Sequence, residues 1–150
     1  MYTKVGAPIV ARKIFEVNAV FGGEENGGLI FPEHQFCRDG GMATMAMLEL
    51  LAVKNKNISE LVEEIPKYYL IKTKVKCNNK KEVMKKLKEK MAANKFDFTD
   101  GIKAFFDNGW VLIRPSGTEP IIRIYAEGKS RKGAEKIAEK YKKMVEEMVK

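Results

Sequence analysis

An arginine, two hydroxyls and a glycine fall close together in Arg114-Pro115-Ser116-Gly117-Thr118-Glu119-Pro120, between two hydrophobic segments. A planar guanidinium can take two oxygens of a phosphate, the hydroxyls of Ser116 and Thr118 a third, and backbone N–H groups around Gly117 can complete an anion nest. Arg123, on the segment that follows, can add a second guanidinium. A solvated turn with an ordinary surface arginine fits the same residues. A hairpin, however, needs only about two to five loop residues, and this connection is longer. The second group is Gly22-Gly-Glu-Glu-Asn-Gly-Gly28. Its glycines let the backbone bend tightly, and Glu24, Glu25 and Asn26 at the tip offer acceptors and an amide, the equipment for gripping vicinal sugar hydroxyls. It has neither the lysine nor the spacing of a nucleotide phosphate loop, and its acidic tip would repel phosphate. A flexible surface turn is the other reading of it.

The elements that must carry these loops follow from periodicity. Pro8 to Asn18 reads as a helix with proline near its first turn, where a missing N–H costs little. Val20-Phe21 and Leu29 to Phe31 read as short strands flanking the glycine-rich loop. Asp39 is placed to cap a helix opened by Gly40-Gly41, in which Met45, Leu48, Leu51 and Ala52 recur at helical spacing. A short acidic helix spans Ser59 to Ile65 and is stopped by Pro66. Tyr69 to Cys77 alternates apolar and lysine positions, a strand with one wet face. Lys80 to Ala92 is an amphipathic helix on Val83, Met84, Leu87 and Met91. Strands are expected over Phe96 to Phe98, Ile102 to Phe106, Trp110 to Ile113 and Ile121 to Glu127, with a hairpin at Asn108-Gly109. Ser130 caps a closing helix with Ala134, Ile137, Ala138, Tyr141, Met144, Val145 and Met148 on one face.

These elements divide the chain. Residues 67–150 make a self-contained two-layer α+β domain with an antiparallel sheet and two helices. Residues 1–66 have apolar helices and only two short strands to cover them, so they read as an α/β fragment, the later part of a larger domain. Charge divides at nearly the same place. Residues 1–72 hold 8 basic and 9 acidic side chains, whereas residues 73–150 hold 20 and 11, so the second half carries the whole net charge of +8.

Composition excludes several classes. With 45% hydrophobic and 32% charged residues in 150, the chain is no disordered tail. No apolar run approaches the roughly 20 residues of a membrane helix, and the first ten residues are unlike a signal peptide, so a soluble cytoplasmic protein is expected. Cys37, Cys77 and the single His34 cannot form a cysteine/histidine zinc site; two buried free thiols are expected instead.

In their order along the chain, Thr3-Lys-Val-Gly6, Gly22 to Gly28, Arg38-Asp-Gly40 and Arg114 to Pro120 followed by Ile122-Arg-Ile124 resemble the C-terminal part of the α-D-phosphohexomutases. That family includes phosphomannomutase, phosphoglucomutase and phosphoglucosamine mutase. The resemblance spans nearly the whole chain, as the closing half of a third domain (1–66) and a complete fourth domain (67–150). It implies that Arg114, Ser116, Gly117 and Thr118 bind the substrate's phosphate with Arg123 in support. It also implies that Glu24 and Asn26 contact the sugar, and that Lys4 and Arg38 border it. Gly28 stands where the family's sugar loop usually has histidine.

The family reaction moves a phosphoryl group between C1 and C6 of a hexose through an enzyme phosphoserine, with Mg²⁺ held by an aspartate-rich loop. Neither a Thr-Ala-Ser-His-Asn-Pro-like segment nor an Asp-x-Asp-x-Asp cluster occurs here. Phosphoryl transfer needs a positioned nucleophile and a neutralising metal, so this chain is expected to bind hexose phosphate without catalysing the reaction or holding a cofactor itself. An N-terminal phosphohexomutase chain, or self-association through the unfinished first half, is the expected protein partner. A nucleic-acid-binding or protein-interaction domain is the competing reading. Its basic surplus is interleaved with Glu82, Glu89, Glu139, Glu146 and Glu147, the pattern of a solvated mixed-charge surface.

Overall fold

The computed structural model describes residues 1–91 and 95–149. They form two compact units, Met1–Pro66 and Lys67–Lys150.

The first unit contains α1 (Ala7–Val17), β1 (Gly22–Gly23), β2 (Leu29–Ile30), α2 (Gly40–Lys54) and α3 (Ile58–Glu63). Pro8 lies in the first turn of α1, and Asn18 ends it in the left-handed conformation. The two strands pair antiparallel, Gly22 opposite Ile30 and Gly23 opposite Leu29. The first strand therefore sits two residues beyond Val20-Phe21. The ladder is set by the turn it closes, where Glu24 N–H donates to Gly28 O at 2.9 Å, and Val20 is left 82% exposed. Asp39 caps α2, its carboxylate accepting from Met42 N at 2.8 Å. The third helix begins one residue earlier than its sequence suggests, because Asn57 and Glu60 form a reciprocal capping box.

Only Val10, Ile14 and Ile30 are buried apolar residues in this unit. The second helix is apolar around its whole circumference yet buries no residue, and Met45, Leu48 and Val53 are all more than half exposed. A helix hydrophobic on every side is built to be enclosed, and residues 1–66 do not enclose it. Cys37 is exposed rather than buried, for it lies in the turn segment ahead of α2, where there is no core to receive it.

The second unit contains β3 (Tyr69–Lys76), α4 (Lys80–Lys90), β4 (Lys95–Asp97), β5 (Ile102–Phe106), β6 (Gly109–Pro115), β7 (Ile121–Gly128) and α5 (Arg131–Val149). The strands form one antiparallel sheet in the order β3-β7-β6-β5-β4. The expected end of α4 at Ala92 lies outside the described residues. The fourth strand is shifted by one from Phe96–Phe98, because the Asp97 carboxylate accepts from Thr99 N at 2.7 Å and turns the chain.

Alternation then sorts the sheet into two faces. Val75, Ile102, Ala104, Val111, Ile113, Ile122, Ile124 and Ala126 join Val83, Leu87, Ala138, Tyr141 and Val145 of the helices in one core. Burying aliphatic side chains of this size stabilises by about 1.5–3 kcal/mol each, before the entropy cost of ordering them. Ser130 caps α5 as expected, its hydroxyl accepting from Gly133 N at 3.1 Å. The loop from Ser116 to Pro120 joins two inner strands held by this core, and because β6 runs on to Pro115 it falls within the ordinary hairpin length rather than beyond it as the sequence suggested.

Candidate functional site

The phosphate-type loop is built outward from β6 and β7. Arg114 and Arg123 are direct cross-strand partners. Ile113 and Ile124, their neighbours in the same register, are fully buried in the helix-covered core, so both arginines lie on the opposite face of the sheet. Two like charges in that relation repel. Each has an acidic neighbour: Arg114 Nε lies 3.1 Å from Asp100 Oδ2, and Arg123 Nη2 pairs with Glu119 Oε2. The first pair is an ion contact rather than an aligned hydrogen bond, since the Arg114 Nε–H meets no acceptor in line.

Asp100 owes its position to Gly101. That glycine has φ +90, and a Cβ on it would stand 2.3 Å from Ile113 O and 2.9 Å from the Arg114 Cα. Only glycine lets the Asp100 segment approach the arginine so closely.

The loop itself is closed by its own bonds. Ser116 N donates to Ile121 O at 3.0 Å, and the buried Ser116 hydroxyl accepts from Glu119 N at 3.2 Å. The hydroxyl proton of Ser116 remains to be donated. Among the described residues, the N–H groups of Gly117 and Thr118 donate to no protein acceptor. Gly117 differs from Gly101, for a Cβ there would meet nothing within 4 Å. The loop's own packing does not ask for glycine at its tip.

Two neighbours of this loop were not among the site residues expected from sequence, though Cys77 is buried and free as expected. Lys80, at the start of α4, donates from Nζ to Ser116 O at 2.6 Å and to Glu119 O at 2.8 Å. No local pattern announces a contact across that much chain. Cys77 donates its backbone N–H to Pro120 O at 2.8 Å. Burial pushes the Cys77 thiol pKa up, which keeps it protonated and unreactive.

In the first unit, the loop after β1 gathers three of the four remaining site residues. Glu24 Oε1 accepts from Gly6 N at 2.9 Å, and its Oε2 lies 3.7 Å from Arg38 Nη1. Asn26 Oδ1 accepts from Gly28 N at 3.2 Å, which folds the loop tip and leaves the side-chain amide at the surface. Arg38 reaches Glu24 by crossing Gly28: a Cβ on Gly28 would lie 2.2 Å from Arg38 Cδ. Any side chain at position 28 would displace the arginine, so glycine there and arginine at 38 go together. Lys4 is exposed on the segment leading into α1.

Both loops now have defined geometry, and two family descriptions match the chain across them. Residues 1–69 match the alpha/beta/alpha domain III of phosphoglucomutase/phosphomannomutase, and residues 72–144 match the C-terminal domain of the same proteins. The chain belongs to the phosphoglucomutase/phosphomannomutase family. It is 48% identical over 153 aligned residues to a phosphoglucomutase/phosphomannomutase of Thermococcus kodakarensis, covering 100% of this chain and 34% of the relative. It is 45% identical to a phosphoglucosamine/phosphogalactosamine mutase of Sulfurisphaera tokodaii, covering 97% and 33%. A family protein of Burkholderia thailandensis has the same fold, with a TM-score of 0.79 at 22% identity over 97% of this chain and 32% of its own. The chain thus spans about a third of the length of the relatives it matches and corresponds to their C-terminal domains.

Family members generally use Mg²⁺, and the described residues of this chain do not suit it. No three histidine, cysteine, aspartate or glutamate side chains among them come together as a metal-binding group. No step is therefore assigned to a metal here. Among the described residues, no helix is long and apolar enough to cross a membrane.

Proposed function

We propose that this chain is the phosphosugar-gripping part of a phosphohexomutase, working in cytoplasmic carbohydrate metabolism. The observation that carries the reading is the β6–β7 loop: two arginines in register at its base, a buried serine hydroxyl, and two amides with no internal acceptor. Those donors suit a dianionic phosphate, whose oxygens take a guanidinium in pairs and backbone N–H groups singly. Arg114, Ser116, Gly117 and Thr118 bind the phosphate, and Arg123 adds charge beside it. The open space at Gly117 supports this, because a loop that needs no glycine for its own packing has one where a ligand would approach the backbone.

Glu24 and Asn26 address sugar hydroxyls. The carboxylate of Glu24 is held between Gly6 N–H and Arg38, which fixes its direction while leaving lone pairs to accept from a ligand. Arg38 and Lys4 supply positive charge at the rim of that loop. In the complete reaction a phosphoryl group passes between C1 and C6 of the hexose, and the phosphoserine and Mg²⁺ for it come from the earlier domains. Those domains, joined to this chain in one polypeptide or brought to it by another, complete the site.

Titration of the chain with glucose 1-phosphate tests the reading. Arg114→Ala should weaken binding by about 10- to 100-fold, the range for losing a charge-assisted bidentate contact. Unchanged affinity would sink it. Mixing the chain with a polypeptide bearing the serine and metal loops, with Mg²⁺ present, should generate mutase activity that neither component has alone.

A further inference from the structure

Lys80 touches the phosphate loop at two backbone carbonyls and at no side chain, reaching over 36 residues to Ser116 and 39 to Glu119. An ammonium carries only donors, so the carbonyls it binds are held facing it. The peptide between Ser116 and Gly117 is planar and trans, with its C=O and N–H directed oppositely. Drawing Ser116 C=O to Lys80 therefore turns the Gly117 N–H to the other side of the backbone. That amide is one of the two in the loop with no protein acceptor. The peptide that bears it is also the one most easily rotated, since glycine follows and its Cβ position is open. Ser116 N–H to Ile121 O fixes the peptide before it and Glu119 N–H to the Ser116 hydroxyl fixes a later one. Neither of those bonds sets the direction of the Gly117 amide. Lys80 does.

We propose that Lys80 is a positioning residue for anion binding: by holding the Ser116 and Glu119 carbonyls, it locks the Gly117 N–H outward for a phosphate oxygen. This rests on the phosphate reading of the loop. Lys80 acts through the backbone and need not touch the ligand.

The full chain, labelled with ¹⁵N, is titrated with glucose 1-phosphate and separately with inorganic phosphate, following the chemical shift of the Gly117 amide. Lys80→Met keeps the stem and removes the ammonium. It should reduce the shift of the Gly117 amide at saturation with either probe and weaken both by about tenfold, as for loss of a charged hydrogen bond. Lys80→Arg should restore both properties. Lys81→Met removes the same charge from the exposed neighbouring position and should change affinity by less than about threefold. Where Lys80→Met does not fold, Lys80→Leu carries the same comparison. The assignment is overturned if the wild type binds and the Lys80 variant leaves the ligand-induced shift of the Gly117 amide unchanged, or weakens binding no more than Lys81→Met. A wild type that binds neither probe overturns the phosphate reading and this inference with it.

Discussion

Residues 1–66 and 67–150 solve the same problem, holding a polar loop in a fixed shape, by different means. The second unit fixes its loop from a core: β6 and β7 are inner strands, and the Ile113–Ile124 pair next in register to the arginine pair is fully buried. The first unit fixes its loop with individual hydrogen bonds, Gly6 N–H to Glu24, Gly28 N–H to Asn26 and Met42 N–H to Asp39, around three buried apolar side chains. A loop braced by a core keeps its geometry independently. One braced by caps and turns depends on whatever covers the apolar helix beside it.

The contrast breaks most directly when the units are separated. Residues 67–150 should give a dispersed NMR spectrum and a cooperative unfolding transition, whereas residues 1–66 alone should give neither, because three buried side chains cannot offset the ordering of that much chain. A cooperative transition in the isolated first unit would end the distinction.

Truncation of single side chains sharpens it. Leu87→Ala, at a fully buried position, should cost about 2–5 kcal/mol in urea unfolding. Leu48→Ala, at a position 54% exposed, should stay within about 0.5 kcal/mol for the chain alone. A large loss at Leu48 would mean that α2 is already enclosed by another copy.

Glycines divide in a similar way, with a smaller effect. Gly101→Ala places a methyl against Ile113 O at positive φ and should cost about 1–3 kcal/mol. It should also move Asp100 off Arg114. Gly117→Ala should leave the melting temperature unchanged and weaken glucose 1-phosphate binding. Loss of stability at Gly117 with binding intact would reverse the roles given to the two glycines.

The smallest effect is the pH dependence of the α2 cap. Its Asp39 carboxyl pKa lies below the usual aspartate range, chiefly because it accepts the Met42 N–H and next because of its bond with His34. A depressed carboxylate stabilises the fold above its unfolded value, about pH 4, and that contribution is lost as pH falls through the folded value. Thermal melts of wild type and Asp39→Asn should therefore differ at pH 6 and converge as the pH falls below the unfolded value of about 4. Parallel curves across that range would remove Asp39 from the account.

Much of this molecule is legible along the chain because the interactions that make its elements are local. The Asp39 cap, the β5–β6 hairpin (its turn at Asp107-Asn108, one residue before the expected Asn108-Gly109), the lysine-faced strand at Tyr69 and the apolar stripe of the last helix each involve residues a few positions apart. The misplacements follow the same logic in reverse. Val20-Phe21 has strand composition, but pairing is decided by the turn between Glu24 and Gly28, and a strongly apolar pair is left outside it. Cys37 has a buried residue's chemistry and no core within reach.

The loop motifs, their order and the residues able to bind phosphate or sugar were set by sequence alone, since side-chain chemistry and spacing are properties of the chain. Tertiary structure alone decided how those residues are braced. It put Asp100 against Arg114 through a glycine whose place a larger residue takes only with strain, laid Arg38 across Gly28, and brought Lys80 to two carbonyls of the β6–β7 loop. Such contacts depend on strand register and helix placement, which are fixed when the core closes, and no nearby residues encode them.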